Sequence, residues 1–594
     1  MINNTATDSL LLANDSASKT LEHARWLACQ SNRHAEAVGC YGELLTQQPG
    51  HVVAWLELGK LLKRTYQYDM ALSCFQYVIG ISGESAEAYL RCGEIYENRG
   101  MLGKAREAYR QVLERSADFG VAVQAATLLP VILRDADEIE EIRKVVLREL
   151  GRIDPAAYSA GDPLGQGRVF FYLTYHGYND REFQEKLASL YLAAYPDLAW
   201  VAPHCTARSA PQEKGRLRIA FVSRFFSNHT IAKLNRGLIE HISRRDFEVH
   251  VFHLGTPDWM SDLIKGVSDH FTCCTGDLTA IRSAVAAWEP DIVYYTDIGM
   301  EPLTYFLAFS RLAPFQCVTW GHPVTSGIPT IDCFISHELC EMGSPREQYS
   351  ERLFCLSGAR ALTCYPRPTL PVLNKTRADF GLPSGRHIYA CLQSIYKIHP
   401  EFDAILAGIL EGDPEGCIVL LKGNLPEHEV RLRARLLRLI PDQDRRVIFV
   451  PRMTEDEYLN LVSLSDVLLD TIHFGGGNSS AEAFAVGTPI VTLPSPYLRG
   501  RLTYAWYRCM GFMECVAESP AEYLSLAVRL GTDKVFHAHA TDMIRRLSHK
   551  IFADLGVVRE LETFLIKASR KQPWTRERTP CRPPSSSPFP GTLQ

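Results

Sequence analysis

The 594 residues carry 63 basic and 68 acidic side chains, for a formal net charge of −5 at pH 7. With 46% hydrophobic, 10% aromatic and 22% charged residues, the composition excludes wholesale disorder, collagen and coiled coil. At about 100–200 residues per domain the chain makes three or four domains, and its mildly acidic balance offers no general basic field for a nucleic acid.

The first twenty residues lack a basic region, and their apolar run Leu10 to Ala13 is too short for a signal-peptide core. No segment reaches the ~20 consecutive apolar residues of a membrane span. These features predict a cytoplasmic protein with neither nucleic acid nor membrane as partner. The 17 cysteines show no paired CxxC spacing and read as buried reduced thiols rather than zinc ligands.

A 34-residue period opens the informative part of the chain. Trp55, Leu58, Gly59, Ala71 and Phe75 recur as Tyr89, Cys92, Gly93, Ala105 and Tyr109, and an earlier copy keeps Ala37, Tyr41, Leu44 and Pro49. This is the tetratricopeptide pattern, in which small residues let the two helices of a hairpin approach closely and aromatics fill the remaining gap. Repeats are expected over 18–150, with a fourth, degenerate unit from Val123 to Glu149. A helical linker region follows over 151–212, with one long amphipathic helix in the segment 169–196.

From Arg216 the period changes. LRIAFV (217–222), FEVHVFHL (247–254) and DIVYYT (291–296) alternate with helical patterns, as do HIYACL (387–392), CIVLLKG (417–423), RVIFV (446–450), DVLLD (466–470) and PIVTL (489–493). Continuous apolar strands separated by helices predict parallel sheets covered on both faces. A Pro-rich stretch, 365–385, reads as the linker between two Rossmann-like domains, 213–375 and 376–567, and the tail 568–594 reads as disordered. The fold class is therefore α/β with an all-α N-terminal part. Two doubly wound domains leave a cleft at the carboxyl ends of their strands.

The motifs gather at that cleft. Gly475, Gly476 and Gly477 allow close backbone approach to a ligand, and Asn478, Ser479 and Ser480 start a helix whose N–H groups favour a phosphate. Glu482, one turn on, can accept both hydroxyls of a ribose. Lys397, preceded by Gln393 and Ser394, follows the first strand of the second domain, where it would neutralise a departing diphosphate. Tyr458 is a candidate to stack on a base while the backbone near Met453 reads its edge; an ordinary surface aromatic is the alternative. His229 either contacts acceptor or phosphate or caps its helix. His322, Thr325, Ser326 and Gly327 form a loop that is either part of the cleft or a structural turn. Two Asp-rich triplets, at 135–137 and 442–444, are not read as metal sites.

Taken together, the repeats and the segments LRIAFVSRFFSNHTIAKL, APFQCVTWGHPVTSG, LQSIYKIHP and LLDTIHFGGGNSSAEAFAVGTPIVTLP resemble the O-linked N-acetylglucosamine transferase and SPINDLY family of protein glycosyltransferases. The resemblance implies a GT-B fold and an inverting transfer, without metal or other cofactor, of a sugar from a nucleotide donor such as UDP-N-acetylglucosamine to Ser or Thr of proteins. It matches Lys397 to the lysine on the diphosphate, His229 to the active-site histidine, Tyr458 to the position against the base, Ser479 and Ser480 to a Thr pair on the phosphates, and Glu482 to an acidic ribose ligand. Asn478 stands where the animal-type enzymes have His, and Ser394 where they have Gln, so GDP-fucose and UDP-glucose are alternative donors. The repeats are expected to hold protein acceptors and offer a surface for homo-oligomers. A repeat-based adaptor with an inactive transferase domain is the alternative from another class.

Overall fold

The computed structural model describes residues 18–30, 32–206, 215–358 and 360–570. The chain divides into two compact units, 1–131 with 151–161, and 132–150 with 162–594. The expected boundary at 212 and the tail beyond 570 lie outside the described residues, while the last helix, Leu555–Arg570, continues past the predicted start of the tail.

The first unit is built of helical hairpins, among them Val52–Arg64 with Tyr68–Ser82 and Ala86–Asn98 with Leu102–Arg115. The repeated small residues act as predicted. A Cβ at Gly59 would lie 2.6 Å from the Phe75 ring, and one at Gly93 would lie 2.5 Å from the Tyr109 ring. His51, Ser85 and Asp118 occupy the repeat's N-cap position, each accepting from the backbone N–H three residues on. The fourth hairpin departs from expectation. Its first helix, Phe119–Ala126, is short, and most of its second, Ala136–Arg152, groups with the other unit. There Arg143 pairs with buried Asp180 at 2.8 Å, an ion pair that a free-standing repeat could not make.

The long amphipathic helix expected within 169–196 is Arg181–Ala194. A 3-10 turn, Tyr172–His176, precedes it and ends at Gly177 with φ +78. Gly177 supplies the left-handed conformation that stops the first element.

In the second unit the first sheet holds β1 (Leu217–Ser223), β2 (Phe247–His253), β3 (His270–Cys273), β4 (Ile292–Tyr295), β5 (Phe315–Thr319), β6 (Cys333–His337) and β7 (Arg352–Leu356), in the order 3-2-1-4-5-6-7. The second sheet holds β8 (His387–Cys391), β9 (Gly416–Leu421), β10 (Val447–Val450), β11 (Val467–Leu469) and β12 (Ile490–Val491), in the order 10-9-8-11-12. Among the described residues every pairing between these strands is parallel, and apart from the edge strands β3 and β7 the strands are mostly buried apolar residues, as continuous hydrophobic runs require. The two Rossmann-like halves of the predicted fold are thus present. The Pro-rich segment between them carries no strand or helix until the 3-10 turn Arg377–Phe380. The C-terminal helix Leu555–Arg570 returns to the first sheet, where Phe564 stacks on Phe354 of β7 at 3.7 Å.

Candidate active site

In each sheet the strand order reverses beside the first strand, between β1 and β4 and between β8 and β11. Ligands of open α/β sheets bind at the carboxyl ends of the strands at such a reversal. The segment after β8 carries Lys397, and the segment after β11 carries the glycine turn. Strand order, rather than sequence proximity, brings these two motifs together.

Lys397 closes a 3-10 turn, Ile395–Lys397. Its Nζ donates to Gln393 Oε1 at 2.8 Å and to the Gly475 carbonyl at 3.3 Å, and it lies 4.5 Å over the Phe474 ring. Burial lowers its pKa to about 8, opposed by the charge of Asp470. Gln393 in turn donates through Nε2 to Ser479 Oγ at 2.9 Å, so one amide couples the lysine to the helix start.

Asp470, at the end of β11, shapes the turn. Its Oδ1 accepts from Gly476 N at 2.7 Å and its Oδ2 from Thr492 Oγ1 at 2.8 Å. A Cβ on Gly475 would lie 2.7 Å from Asp470 Oδ2, and one on Gly476 would lie 2.4 Å from Ser480 Oγ, so both positions require glycine for close approach. The helix Asn478–Val486 begins without a side-chain cap at Gly477, and its first intrahelical bond runs from Ala481 N to Gly477 O. The N–H groups of its first turn therefore have no intrahelical partner and carry the positive end of the dipole. Sequence reasoning did not select Asp470, because a lone carboxylate ending an apolar strand has no distinguishing neighbour.

The predicted pair Ser479 and Ser480 separates. Ser479 is half-buried and meets Gln393, and the Tyr458 hydroxyl hydrogen bonds to it. Ser480 is 3% exposed and its Oγ is taken up by Thr503 and the Gly476 carbonyl, so its side chain does not face a phosphate. Tyr458 is thereby placed inside the site rather than on an open helix surface. Met453 and Ser394 are half-buried, the first in the loop after β10, the second at the start of the Lys397 turn, where its side chain makes no cap hydrogen bond. Asn478 Oδ1 accepts from the Tyr365 hydroxyl, and its side chain also hydrogen bonds to Glu482.

Glu482 is 5% exposed, and burial raises its pKa. Its cationic partner comes from the other half of the unit: Lys233, on the helix Thr230–His241 that follows β1, sits 3.2 Å from Glu482 and 2.7 Å from Glu455. His229 caps that helix, its Nδ1 accepting from Ile231 N at 3.2 Å, and stacks on Phe225. Burial, with Lys233 nearby, pushes its pKa down to about 4.

The loop at 322–327 is corrected. Thr325 Oγ1 donates to Glu351 Oε2 at 2.5 Å, Ser326 donates to Glu351 through both N and Oγ, and Gly327, at φ +72, packs against the Gln184 backbone. All three are buried in a structural turn, which Gly and Pro punctuation marks no differently from a binding loop. His322 alone of this group adjoins the cleft. It is 3% exposed, burial pushes its pKa to about 3, and its ring stacks on Phe171.

Phe171 belongs to an aromatic wall that sequence reasoning assigned to a linker. Phe171, Tyr172 and Tyr175 all meet Tyr396, the neighbour of Lys397, and Tyr175 also meets Phe474. One segment ahead of both sheets thus joins His322 of the first half to the lysine turn of the second. An aromatic run in a helical context gave no signal for this placement.

With that geometry in place, residues 358–554 match the model "Glycosyl transferase family 41", and residues 86–119 match a tetratricopeptide repeat model. Residues 358–554 contain the whole second sheet, Lys397 and the glycine turn. The chain is 26% identical over 364 residues to the probable UDP-N-acetylglucosamine-peptide N-acetylglucosaminyltransferase SEC of Arabidopsis thaliana, covering 59% of this chain and 37% of that protein. It is 32% identical over 163 residues to a UDP-N-acetylglucosamine-peptide N-acetylglucosaminyltransferase of Caenorhabditis elegans, covering 27% and 14%. The chain therefore spans little more than a third, or less, of the length of these relatives. A solved structure of a mutant Thermobaculum terrenum O-GlcNAc transferase superposes with a TM-score of 0.70 at 20% identity, covering 94% of this chain and 98% of that one, and shares the fold. The resemblance to the O-linked N-acetylglucosamine transferase and SPINDLY proteins, read first from motifs, holds across these comparisons.

Proposed function

We propose that this chain is a protein O-glycosyltransferase that moves a sugar, N-acetylglucosamine from UDP-N-acetylglucosamine, to Ser or Thr side chains with inversion. The observation that carries the reading is the meeting of Lys397 with the uncapped start of the helix Asn478–Val486 at the reversal of the second sheet. The names of the similar proteins support the donor and the acceptor class.

Departure of the diphosphate is the main catalytic demand, and it is met by groups already in place. The Lys397 cation and the free N–H groups after Gly477 offer positive charge where negative charge develops, without reorganisation. This supply needs no metal, and we propose a metal-independent transfer. Glu482 accepts the ribose hydroxyls, Tyr458 and the Met453 backbone hold the base, and Gln393 keeps Lys397 aimed. His229 accepts a backbone N–H at Nδ1, so its neutral ring carries the proton on Nε2 and donates. We assign it to orienting an oxygen of acceptor or phosphate rather than to removing the acceptor's proton. The repeat unit is proposed to hold the protein acceptor.

Incubation with UDP-N-acetylglucosamine, UDP-glucose and GDP-fucose in a cell lysate, read by intact mass of the products, tests this reading. Added N-acetylhexosamine supports it, while added hexose or deoxyhexose replaces the donor. A repeat-based adaptor predicts no modified protein and no melting shift with UDP or GDP.

A further inference from the structure

The segments that follow β1 and β2 are tied together at the carboxyl end of the first sheet. Leu254 N donates to the Ser223 carbonyl at 2.9 Å, Asn228 N to Asp258 Oδ2 at 2.6 Å, and Ser261 Oγ to the Phe226 carbonyl at 2.6 Å. A Cβ on Gly255 would lie 2.2 Å from the Arg224 carbonyl oxygen, so the two backbones touch there as well. Asp258 also caps the helix Trp259–Val267, in a reciprocal capping box with Ser261. The first turn of that helix is therefore fixed to the segment that presents His229.

The helix buries Met260, Ser261 and Ile264 and leaves Trp259 and Leu263 outward, 54% and 43% exposed. These two stand four residues apart and so are neighbours on one helix face. Rings and aliphatic chains left this open contribute little to a core. A rigid aromatic face held in place at a site's edge is instead the kind of group that anchors a bound polypeptide. Through the Asn228–Asp258 bond, the Cα atoms of Trp259 and His229 are at most about 15 Å apart, a span that about five extended residues cover.

We propose that Trp259 and Leu263 form a subsite for the acceptor polypeptide, holding a proline or aliphatic side chain within about five residues of the Ser or Thr that receives the sugar. The inference rests on the transferase reading. Continuity with the transfer site selects the occupant: the helix start that carries Trp259 is hydrogen bonded to Asn228, the neighbour of His229, so an extended chain with its hydroxyl at His229 reaches this face on one side of that hydroxyl. A flat indole beside a leucine suits the ring of proline or a branched aliphatic chain, as aromatic-lined grooves do for extended proline-containing segments.

The test uses the full chain, UDP-N-acetylglucosamine and a library of Ser- and Thr-centred peptides in which each flanking position is varied in turn, read both by peptide binding and by transfer. Wild type is expected to favour proline or aliphatic residues at one flanking position. Trp259→Ala and Leu263→Ser should lose that preference and raise KM for a preferred peptide at least about fivefold, while donor KM, kcat and melting temperature stay as in wild type. Trp259→Phe should restore most of the preference. The subsite is overturned if wild type binds no peptide, if it shows no such preference, if the preference survives both variants, or if the variants change oligomeric state alone. Transfer without apolar selection overturns the subsite and leaves the transferase reading standing. Apolar selection in binding that Trp259→Ala abolishes, without transfer of any sugar, overturns the transferase reading and keeps this face as a polypeptide site.

Discussion

Lys233 reaches from the first sheet's half of the second unit to within 3.2 Å of Glu482 in the other half. Burial raises the Glu482 pKa, the Lys233 charge lowers it, and Glu455 raises it. Replacing Lys233 with Met should therefore favour the protonated acid, a poorer acceptor for ribose hydroxyls. Donor KM is expected to rise in Lys233→Met, and more at pH 6 than at pH 8. Glu455→Gln should act in the opposite sense and extend tight donor binding to lower pH. Identical pH profiles for all three proteins would remove Glu482 from the ribose site.

In the proposed transfer Lys397 serves as a cation, and burial lowers its pKa to about 8. It is charged below that value and neutral above it, so kcat/KM for the donor should fall as pH rises through about 8. Asp470 holds the lysine pKa up. Asp470→Asn should move this alkaline limb to lower pH, a shift that a merely structural loss of the turn would not produce. A pH–rate series on both proteins checks it.

Gly59 and Gly93 allow the aromatic of each hairpin to sit where a side chain would otherwise be. Alanine at either position overpacks the hairpin and should cost about 1–3 kcal/mol. Denaturant melts of the full chain should show the loss in the transition of the repeat unit, with transfer to a small peptide unchanged.

Ser326 serves the fold by holding Glu351. Ser326→Ala should lower stability by about 1–3 kcal/mol through the weakened anchoring of a buried carboxylate, yet leave kcat/KM near wild type at a temperature where the variant is folded. A change in acceptor KM alone would return this residue to the cleft.

The sequence disclosed those parts of the fold whose signal is local. Apolar runs such as LRIAFV and HIYACL became β1 and β8 because strands covered on both faces need continuous hydrophobic residues. The repeat was legible because the contacting pair Gly59 and Phe75 recurs 34 residues on as Gly93 and Tyr109. Lys397 and the glycine turn were legible as separate motifs, and the strand order brought them together. What was hidden depends on partners far along the chain. Ser326 and Glu351 are 25 residues apart, and Tyr175 lies over 200 residues from Tyr396, so the role of each is set by packing rather than by its neighbours. Ser480 was misjudged for the same reason, since Thr503 turns it inward.

The most direct test compares wild type and Lys397→Met with UDP-N-acetylglucosamine and an acceptor protein in EDTA, following product by intact mass. Metal-independent transfer by wild type, and a rate at least about 10²-fold lower in the variant, is the predicted result. Equal rates, or a wild type that is active only without the chelator, would contradict it.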